Sequence, residues 1–474
     1  MRIYNTATRL IEDFTPLNGP KVTFYACGFT SYDFAHIGHA RKYTNDDVLK
    51  RALTHFGYDV NHVMNITDVG HLVSDGDEGD DKIAKGATKY GKTVDEVATF
   101  FTDDFLSMID HMGIIRPDHI PHATDHIAEM ITLIQRLLDK GHAYITQEAI
   151  YFDVTTFASY GKLGGQALED KKTAVREEVV AGTQKRNPAD FSLWFFRVGR
   201  FANHAMHWDS PWGDGFPGWH IECSAMSMKY LGETIDIHSG GIDLIPVHHE
   251  DEIAQSEAAT GKPFVKYWFH SYFLMVDGTK MSKSLGNFLR LKDIEDNGYS
   301  PMSLRYLFLQ AHYRSEMNFT WESLQGADTA YKKLLSIVRQ LKAETQRLSL
   351  SPEKLQKTAV YMRRFDEAIA NDLQMPQALA IVWEVIKSNV PAEDKLDFLL
   401  EADRVLGLGL SDLTDIPHDP IAPLPPDIQQ LKYIRDQARA DGNYARSDEL
   451  RKALEEAGYE VSDTATGTVV TKTS

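Results

Sequence analysis

Three consecutive stretches constrain this chain most: KVTFYACGFT (21–30), HIGHARKYTNDDVLKRALTHFGYDV (36–60) and DVNHVMNITD (59–68). The first and last are apolar, rich in β-branched and aromatic residues, and read as strands. Between them Val48, Leu49, Ala52, Leu53 and Phe56 recur at helical spacing and predict an amphipathic helix. A strand, a helix and a strand in so short a span make a βαβ unit, hence neighbouring parallel strands with a right-handed crossover. Ligands of such sheets bind beyond the carboxyl ends of the strands. Cys27 and the turn His36–His39 both fall at that edge.

The rest of the chain builds around this unit. Residues 110–205 read as a long excursion of helices and short strands. The segments GWHIECSAMSMKYLG and IDIHSGGIDLIP then return to the strand–helix–strand style, and YFLMVDGTKMSKSLGN (272–287) is a short strand with a Gly- and Ser-rich loop. Beyond residue 320 the pattern is helical, with one stripe at Leu379, Val382 and Ile386 and another starting at Leu396, Leu399 and Leu400, as in a helix bundle. A segment with five prolines, 412–428, reads as a linker. Two short helices and a terminal hairpin are expected after it.

The stretch PVHHEDEIAQS (246–256) carries five titratable side chains in a row, from His248 to Glu252. Acids suit a helix start because the free N–H groups and the dipole favour negative charge, but two histidines gain nothing obvious there. Residues four apart share a helix face, so His248 and Glu252 converge while Glu250 points elsewhere. GIDLIPV before them reads as extended. An imidazole and a carboxylate on one point suggest half of a metal site. The plainer alternative is a solvated acidic helix start. The chain has two cysteines, Cys27 and Cys223, and neither lies in a CxxC pair. Two thiols, one His and one Glu would complete a four-ligand zinc set if the fold brings them together.

The composition is that of a water-soluble globular protein, with no membrane-length apolar run and no secretory core at the N-terminus, so a cytoplasmic protein is expected. A net charge of −18 in 474 residues argues against a non-specific nucleic-acid binder, so a nucleic-acid partner must be met by local basic patches. No sustained heptad or exposed apolar stripe is evident, which points to a monomer.

HIGH (His36–His39) and KMSKS (Lys280–Ser284) are short strings that recur by chance. Together, in this order, on a βα turn and a late loop, they are specific. With YACGFTSYDFAHIGHAR, NITDV, SPWGDGFPGWHIECSAMSMKYLG and DIHSGGIDLIPVHHEDEIAQSEAATGKPF they make nearly the whole chain resemble the cysteinyl-tRNA synthetases of class I. Many members of that family carry Asn where this chain has His39.

The resemblance implies an α/β fold: a Rossmann-type parallel-sheet catalytic domain (1–319) with a connective insertion at about 110–205, then a helical-bundle tRNA-binding domain (320–410). A linker (411–428) and a small C-terminal α+β anticodon-binding module (429–474) follow. It implies an ATP-dependent ligase acting on L-cysteine and tRNA(Cys), with Mg²⁺ accompanying ATP. His36, Gly38 and His39 are expected at the ATP phosphates, with Lys280 and Lys283 closing over them. One zinc ion is expected on Cys27, Cys223, His248 and Glu252, taking the substrate thiol as a thiolate. His220, His238 and His249 would support those ligands. Thr30, Thr67 and Trp219 would line the pocket, and Asp243 would receive the substrate ammonium.

Of three rivals, methionine activation shares the nucleotide signatures but would need a different pocket, and its usual accessory zinc knuckle needs four cysteines where this chain has two. A cysteine:amino-sugar ligase resembles the first half but lacks a complete anticodon-binding region, which here corresponds to YARSDELRKALEEAGYEV and DTATGTVV. A non-catalytic synthetase-like binding protein usually has damaged signatures, and these stand intact. Lys432, Arg435, Arg439, Arg446, Arg451 and Lys452 are candidate phosphate contacts in the tail. The acidic stretch GHLVSDGDEG (70–79) departs from close relatives and is expected to be a solvated loop.

Overall fold

The computed structural model describes the chain except for residues 71–81, 166–183, 282–285, 344–351, 414–424, 465–466 and 473–474. Residues Met1–Ser411 form one compact unit and Asp412–Ser474 a second.

The first unit is organised by a parallel sheet of β1 (Lys21–Thr30), β2 (Asp59–Thr67), β3 (Ile235–Gly241) and β4 (Val265–Ser271), in the order β4-β3-β1-β2. The chain runs from β1 to β2 on one side and later returns to β3 on the other. The order therefore reverses between β1 and β3, and the crevice beyond their carboxyl ends is where such sheets bind ligands. Cys27 lies near the end of β1, beside β3.

Helix α1 (Ile37–His55) joins β1 to β2 as expected. It is not amphipathic in the ordinary sense, because Arg41, Asp46, Asp47 and Lys50 are buried along with Val48, Leu49, Ala52 and Leu53. The sheet covers one side and the late helices another, so these side chains are held by protein partners instead of water. Arg41 donates to the carbonyls of Tyr272, Phe273, His312 and Ser315. Asp47 accepts from Arg51 at 2.7 Å, from the Ile115 N–H at 2.9 Å and from the fully buried Arg305.

The excursion after β2 carries the helix Ile127–Asp139 and an antiparallel sheet of Ala143–Ile145, Ala149–Phe152, Phe191–Phe196 and Gly215–Pro217. The fourth strand extends it past the expected end at 205. Its apolar face packs into the same cluster as α2 (Trp219–Leu231), including Cys27, Cys223, Ile134, Leu193 and Trp194. Between β3 and β4 runs α3 (Glu250–Thr260), closed by Gly261 at φ +74. Among the described residues no helix is long and apolar enough to cross a membrane.

Helices Trp321–Ala343, Pro352–Ala370, Met375–Lys387 and Ala392–Leu406 follow the catalytic signatures. Arg305 ties the last of them to the sheet region, donating to the Leu406 carbonyl at 2.8 Å and the Met112 carbonyl at 3.2 Å while paired with Asp47.

The second unit pairs helices Pro426–Ala440 and Tyr444–Glu456 with a hairpin of Tyr459–Thr464 and Gly467–Lys472 over Ile428, Leu454, Tyr459, Val461 and Val470. The first helix starts inside the expected linker, most of which (414–424) lies outside the described residues. Arg435 is not a free phosphate contact. It is buried and donates to Thr468 Oγ1. Lys432 and Arg446 are paired with Asp436 and Glu449.

Replacing Asp47 with Leu strands the buried guanidinium of Arg305. Loss of one partner of such a pair costs about 3–5 kcal/mol. The expected readout is a urea midpoint lowered accordingly, and an unchanged midpoint would show that Arg305 is adequately held by carbonyls alone.

Candidate metal centre and nucleotide site

Cys27 is aimed by an irregularity in β1. The pairing with β2 shifts register between Ala26 and Phe29, and pairing with β3 stops at Ala26. Such a bulge re-aims side chains at a strand end. Only glycine fits next to it: a Cβ on Gly28 would lie 1.5 Å from the Asn65 carbonyl oxygen. The Gly28 N–H donates to Asn65 Oδ1 at 2.9 Å, which fixes the bulge against β2.

Cys223 comes from the second turn of α2. The other half of the cluster follows β3, where the sequence expectation needs correction. GIDLIPV is not extended. After Gly241 the chain makes a short helical turn, Ile242–Leu244, and then one wide π-helical turn, Ile245–His249, which runs into α3. Pro246 sits in its first positions, where a missing N–H costs nothing. Wide turns of this kind are rare and recur at functional sites.

The helix start is not solvated. Glu250, Asp251 and Glu252 are 0%, 1% and 0% exposed, and each has its own partners. Glu250 points away from the cluster and accepts the N–H groups of Gly161 and Gly164 at 2.6 and 3.0 Å. Asp251 accepts from Tyr160 at 2.5 Å and lies 3.4 Å from His220 Nε2. Glu252 meets His248 Nε2 at 3.0 Å and His238 Nε2 at 2.8 Å.

Cys27, Cys223, His248 and Glu252 thus converge, with one donor atom from each lying within 4.8 Å of all the others. The thiols are free, and their sulfurs are 4.0 Å apart. Two sulfurs at about 2.3 Å from one tetrahedral ion would be separated by about 3.8 Å, so the spacing fits a shared metal. A second set, Cys27, His238, His249 and Glu252, meets the same criterion around the same two shared donors.

The electrostatics favour positive charge at the centre. The hydrogen bond from Cys27 holds the Cys223 thiol down to about 6 against its burial, helped by His248. Burial would raise Glu252, but the charges of His238 and His248 bring it down to about 2. Burial would lower His248, but Glu252 and Cys223 raise it well above an ordinary imidazole. Cys27 is pushed well up by burial and by its bond to Cys223. Thiol and carboxylate groups thus crowd around His248, an arrangement suited to a metal ion.

Further histidines fix the ligands. With His248 Nε2 toward the donors, its Nδ1–H donates to His220 Nδ1 at 3.0 Å, leaving His220 Nε2–H to face Asp251. His249 Nε2 lies 3.3 Å from Cys27 Sγ, and its Nδ1 is bonded to His270 Nε2 at 2.7 Å. Burial drives His249 well below the ordinary value and His270 to about 3.

The HIGH turn has its own lock. His36 caps α1: its Nδ1 accepts from the N–H of Gly38 at 3.0 Å and of His39 at 3.3 Å, while His39 Nδ1 accepts from the His36 N–H at 3.2 Å. Both Nδ1 atoms are acceptors, so both protons sit on Nε2. The rings stack with centroids 3.8 Å apart. Burial lowers His36 to about 4 and His39 well below an ordinary imidazole, so both are neutral donors at pH 7. A Cβ on Gly38 would lie 2.8 Å from the His36 ring and 3.0 Å from Met281, so glycine is required there too.

The flanks of KMSKS come to this turn. The Ile37 N–H donates to the Leu289 carbonyl at 2.9 Å, and the Phe288 ring stands edge-on to His36. Lys280 is exposed, with Nζ 5.2 Å from the Phe273 ring centroid. Lys283 lies outside the described residues, as do residues 71–79 of the acidic stretch.

Of the expected pocket residues, Trp219 is half-buried with its ring 4.5 Å from that of His248. Thr67 is buried and donates to Glu222 at 2.9 Å. Thr30 pairs with Thr67 in the sheet. Asp243 is exposed just past β3. Sequence reasoning missed Asn65, Tyr160, Glu222, Asp251 and His270. Polar residues in buried positions gave no periodic signal, although His270 follows the apolar run Tyr267–Phe269.

The chain matches the family model described as tRNA synthetases class I (C) catalytic domain over residues 13–329. It is 43% identical to the cysteine–tRNA ligase of Treponema denticola, covering 98% of both chains. It is 41% identical to that of Chlorobaculum tepidum, covering 100% of this chain and 99% of the relative. Among solved structures it resembles Mycobacterium tuberculosis methionyl-tRNA synthetase in complex with methionyl-adenylate, with a TM-score of 0.58, 15% identity, and 82% and 90% of the two chains covered. That likeness concerns the fold.

Gly28→Ala should force the β1 end away from Asn65. The two buried thiols are expected to react faster with a thiol reagent in the native protein, with a stability loss of about 1–3 kcal/mol. Gly326→Ala, where the added Cβ meets nothing within 4 Å, is the control. Equal thiol reactivity in both variants would rule out Gly28 as the device that aims Cys27.

Proposed function

Because this chain belongs to the class I (C) tRNA synthetases, the cysteine–tRNA ligases, we propose that its buried four-donor cluster reads the substrate thiol. Its activity is that of a cysteine–tRNA ligase, in which ATP drives the joining of cysteine to tRNA. The amino-sugar alternative is not favoured, since relatives named cysteine–tRNA ligase are matched along nearly their whole length, tail included.

In the first step the cysteine carboxylate attacks the α-phosphorus of ATP and pyrophosphate leaves. Charge develops on phosphate oxygens, so positioned donors and cations are needed rather than a covalent nucleophile. The Nε2–H groups of His36 and His39, with the α1 N-terminus, supply the donors. Lys280 and Lys283 supply cations to the leaving pyrophosphate, and Mg²⁺ accompanies ATP. In the second step a terminal tRNA hydroxyl attacks the adenylate carbonyl and AMP leaves.

Cys27, Cys223, His248 and Glu252 hold zinc, which supplies a soft acceptor that favours thiolate over alcohol. His220, His238 and His249 orient those donors. Trp219, Thr30 and Thr67 line the pocket, with Thr67 anchored by Glu222. Asp243, exposed at the strand end, receives the substrate ammonium. The bundle (320–410) and the tail (429–474) grip the tRNA. The enzyme acts as a cytoplasmic monomer. The observation that carries this reading is the four-donor convergence, which uses both cysteines of the chain.

Amino-acid-dependent ATP–pyrophosphate exchange with all twenty amino acids tests it. Cysteine should be the substrate, with serine discriminated by more than the roughly hundredfold that a shape-based apolar pocket achieves. Efficient serine activation would remove the metal from substrate selection.

The purified protein should carry about one zinc per chain, as four-ligand sites do. Cys223→Ser is expected to lower zinc content and raise the KM for cysteine together. A variant fully loaded and fully active would sink the ligand assignment.

A further inference from the structure

A half-buried cation lies behind the donor cluster, and neither the nucleotide signature nor the donor set uses it. Lys42, one turn along α1 from the HIGH turn, has a side chain only 13% exposed. Its Nζ donates to the Cys27 carbonyl at 2.8 Å and pairs with Asp46 Oδ2 at 2.8 Å. The Tyr43 hydroxyl donates to the same carbonyl at 3.3 Å. Nζ also lies 4.2 Å from the Tyr43 ring centroid, which adds a cation–π contact. Asp46 is itself 2% exposed.

Two features give this arrangement a purpose. The first is mechanical. Pairing of β1 with β3 ends at Ala26 and pairing with β2 skips to Phe29, so Cys27 stands outside the ladder. An unpaired buried carbonyl is costly, and two donors from α1 replace the missing ladder bond. They hold the backbone of the one donor residue that sits on a bulge.

The second is electrostatic. Two thiolates and one carboxylate bring three negative charges, of which a divalent ion cancels two. A substrate thiolate would add another. A net negative centre in a dry interior is stabilised by positive charge held close to it. The Lys42–Asp46 pair has no net charge, but its ammonium is the end bonded to the Cys27 carbonyl, so the pair turns its positive end to the first donor.

We propose that Lys42, held by Asp46 and seconded by Tyr43, is a positioning residue for the metal centre, fixing the Cys27 donor and turning the positive end of the Lys42–Asp46 pair toward it. This rests on the donor set being a zinc site.

The test uses full-length protein: wild type, Lys42→Met, Lys42→Gln and Lys42→Arg, with Cys223→Ser as reference. Zinc affinity is read by chelator competition, and cobalt-substituted protein reports the sulfur-to-metal charge-transfer band with and without cysteine. Removing an outer partner of a metal site typically costs 10–100-fold in affinity, and that loss is expected for Lys42→Met. Its cobalt band should shift, and its KM for cysteine should rise about tenfold with the KM for ATP unchanged, in keeping with that range. Lys42→Arg should recover most of the loss. Lys42→Gln fills similar space without charge and should bind zinc more weakly than Lys42→Arg; it replaces Lys42→Met if the latter misfolds. Zinc affinity and a cobalt band equal to wild type in the uncharged variants, while Cys223→Ser loses the metal, would overturn the role of Lys42 alone. A wild-type protein that binds no zinc would instead overturn the metal reading beneath it.

Discussion

The centre of this molecule depends on how Glu252 is held. A carboxylate with no exposure is tolerable only when paired and hydrogen-bonded. Glu252 reaches His238 on β3, His248 in the wide turn and Cys27 on β1. Each contact needs a different element in place. The wide turn must bring His248 round, β3 must lie beside β1, and the bulge must turn Cys27 inward. The sheet order that creates the crevice is thus the same order that makes the buried acid affordable, so fold and site are one solution.

Much of this was legible because the informative residue types are scarce. With only two cysteines in the chain, pairing Cys27 and Cys223 with an i,i+4 His–Glu pair was a strong restriction. The βα turn and the late loop were marked by their signature strings. What stayed hidden has a common cause: charged letters on a helix ordinarily mean solvent. On α1 the letters Arg41, Lys42, Asp46 and Asp47 suggested an outer face, yet all are enclosed or nearly so. The acids at the start of α3 gave the same false impression. The wide turn was hidden for another reason. IPV is apolar and β-branched, so GIDLIPV looked extended, and nothing local to it announces a π turn. In the tail Arg435 looked like its basic neighbours, and only the hairpin that closes over it shows that it is structural.

His39 illustrates how a departure from a family pattern can be absorbed. Many relatives carry Asn at this position. The helix start needs an acceptor there for the His36 N–H, and an amide oxygen or an imidazole Nδ1 can serve. Here Nδ1 accepts at 3.2 Å, and the stacked rings tie the two histidines together. The consequence is chemical as well as structural. The bonds that cap the helix commit both Nδ1 atoms as acceptors and so leave an Nε2–H on each ring. Burial keeps the rings neutral, so they offer directed hydrogen bonds rather than diffuse positive charge. The flanks of the late loop lie against this same turn, and Lys280 of that loop is exposed.

The connective segment between β2 and α2 belongs to this logic and is not an appendage. Tyr160 donates to Asp251, and the N–H groups of Gly161 and Gly164 bind Glu250. These two acids immediately precede the donor Glu252. Asp251 in turn faces His220, which fixes the ring of His248. A displacement of residues 160–164 would therefore unseat the acids at the start of α3 and release the tautomer of a donor histidine. Two segments outside the cluster, the connective loop through Asp251 and helix α1 through Lys42, hold two of its members. His248 is steadied from one and Cys27 from the other, so the spacing of the site is set by parts of the chain that supply no ligand.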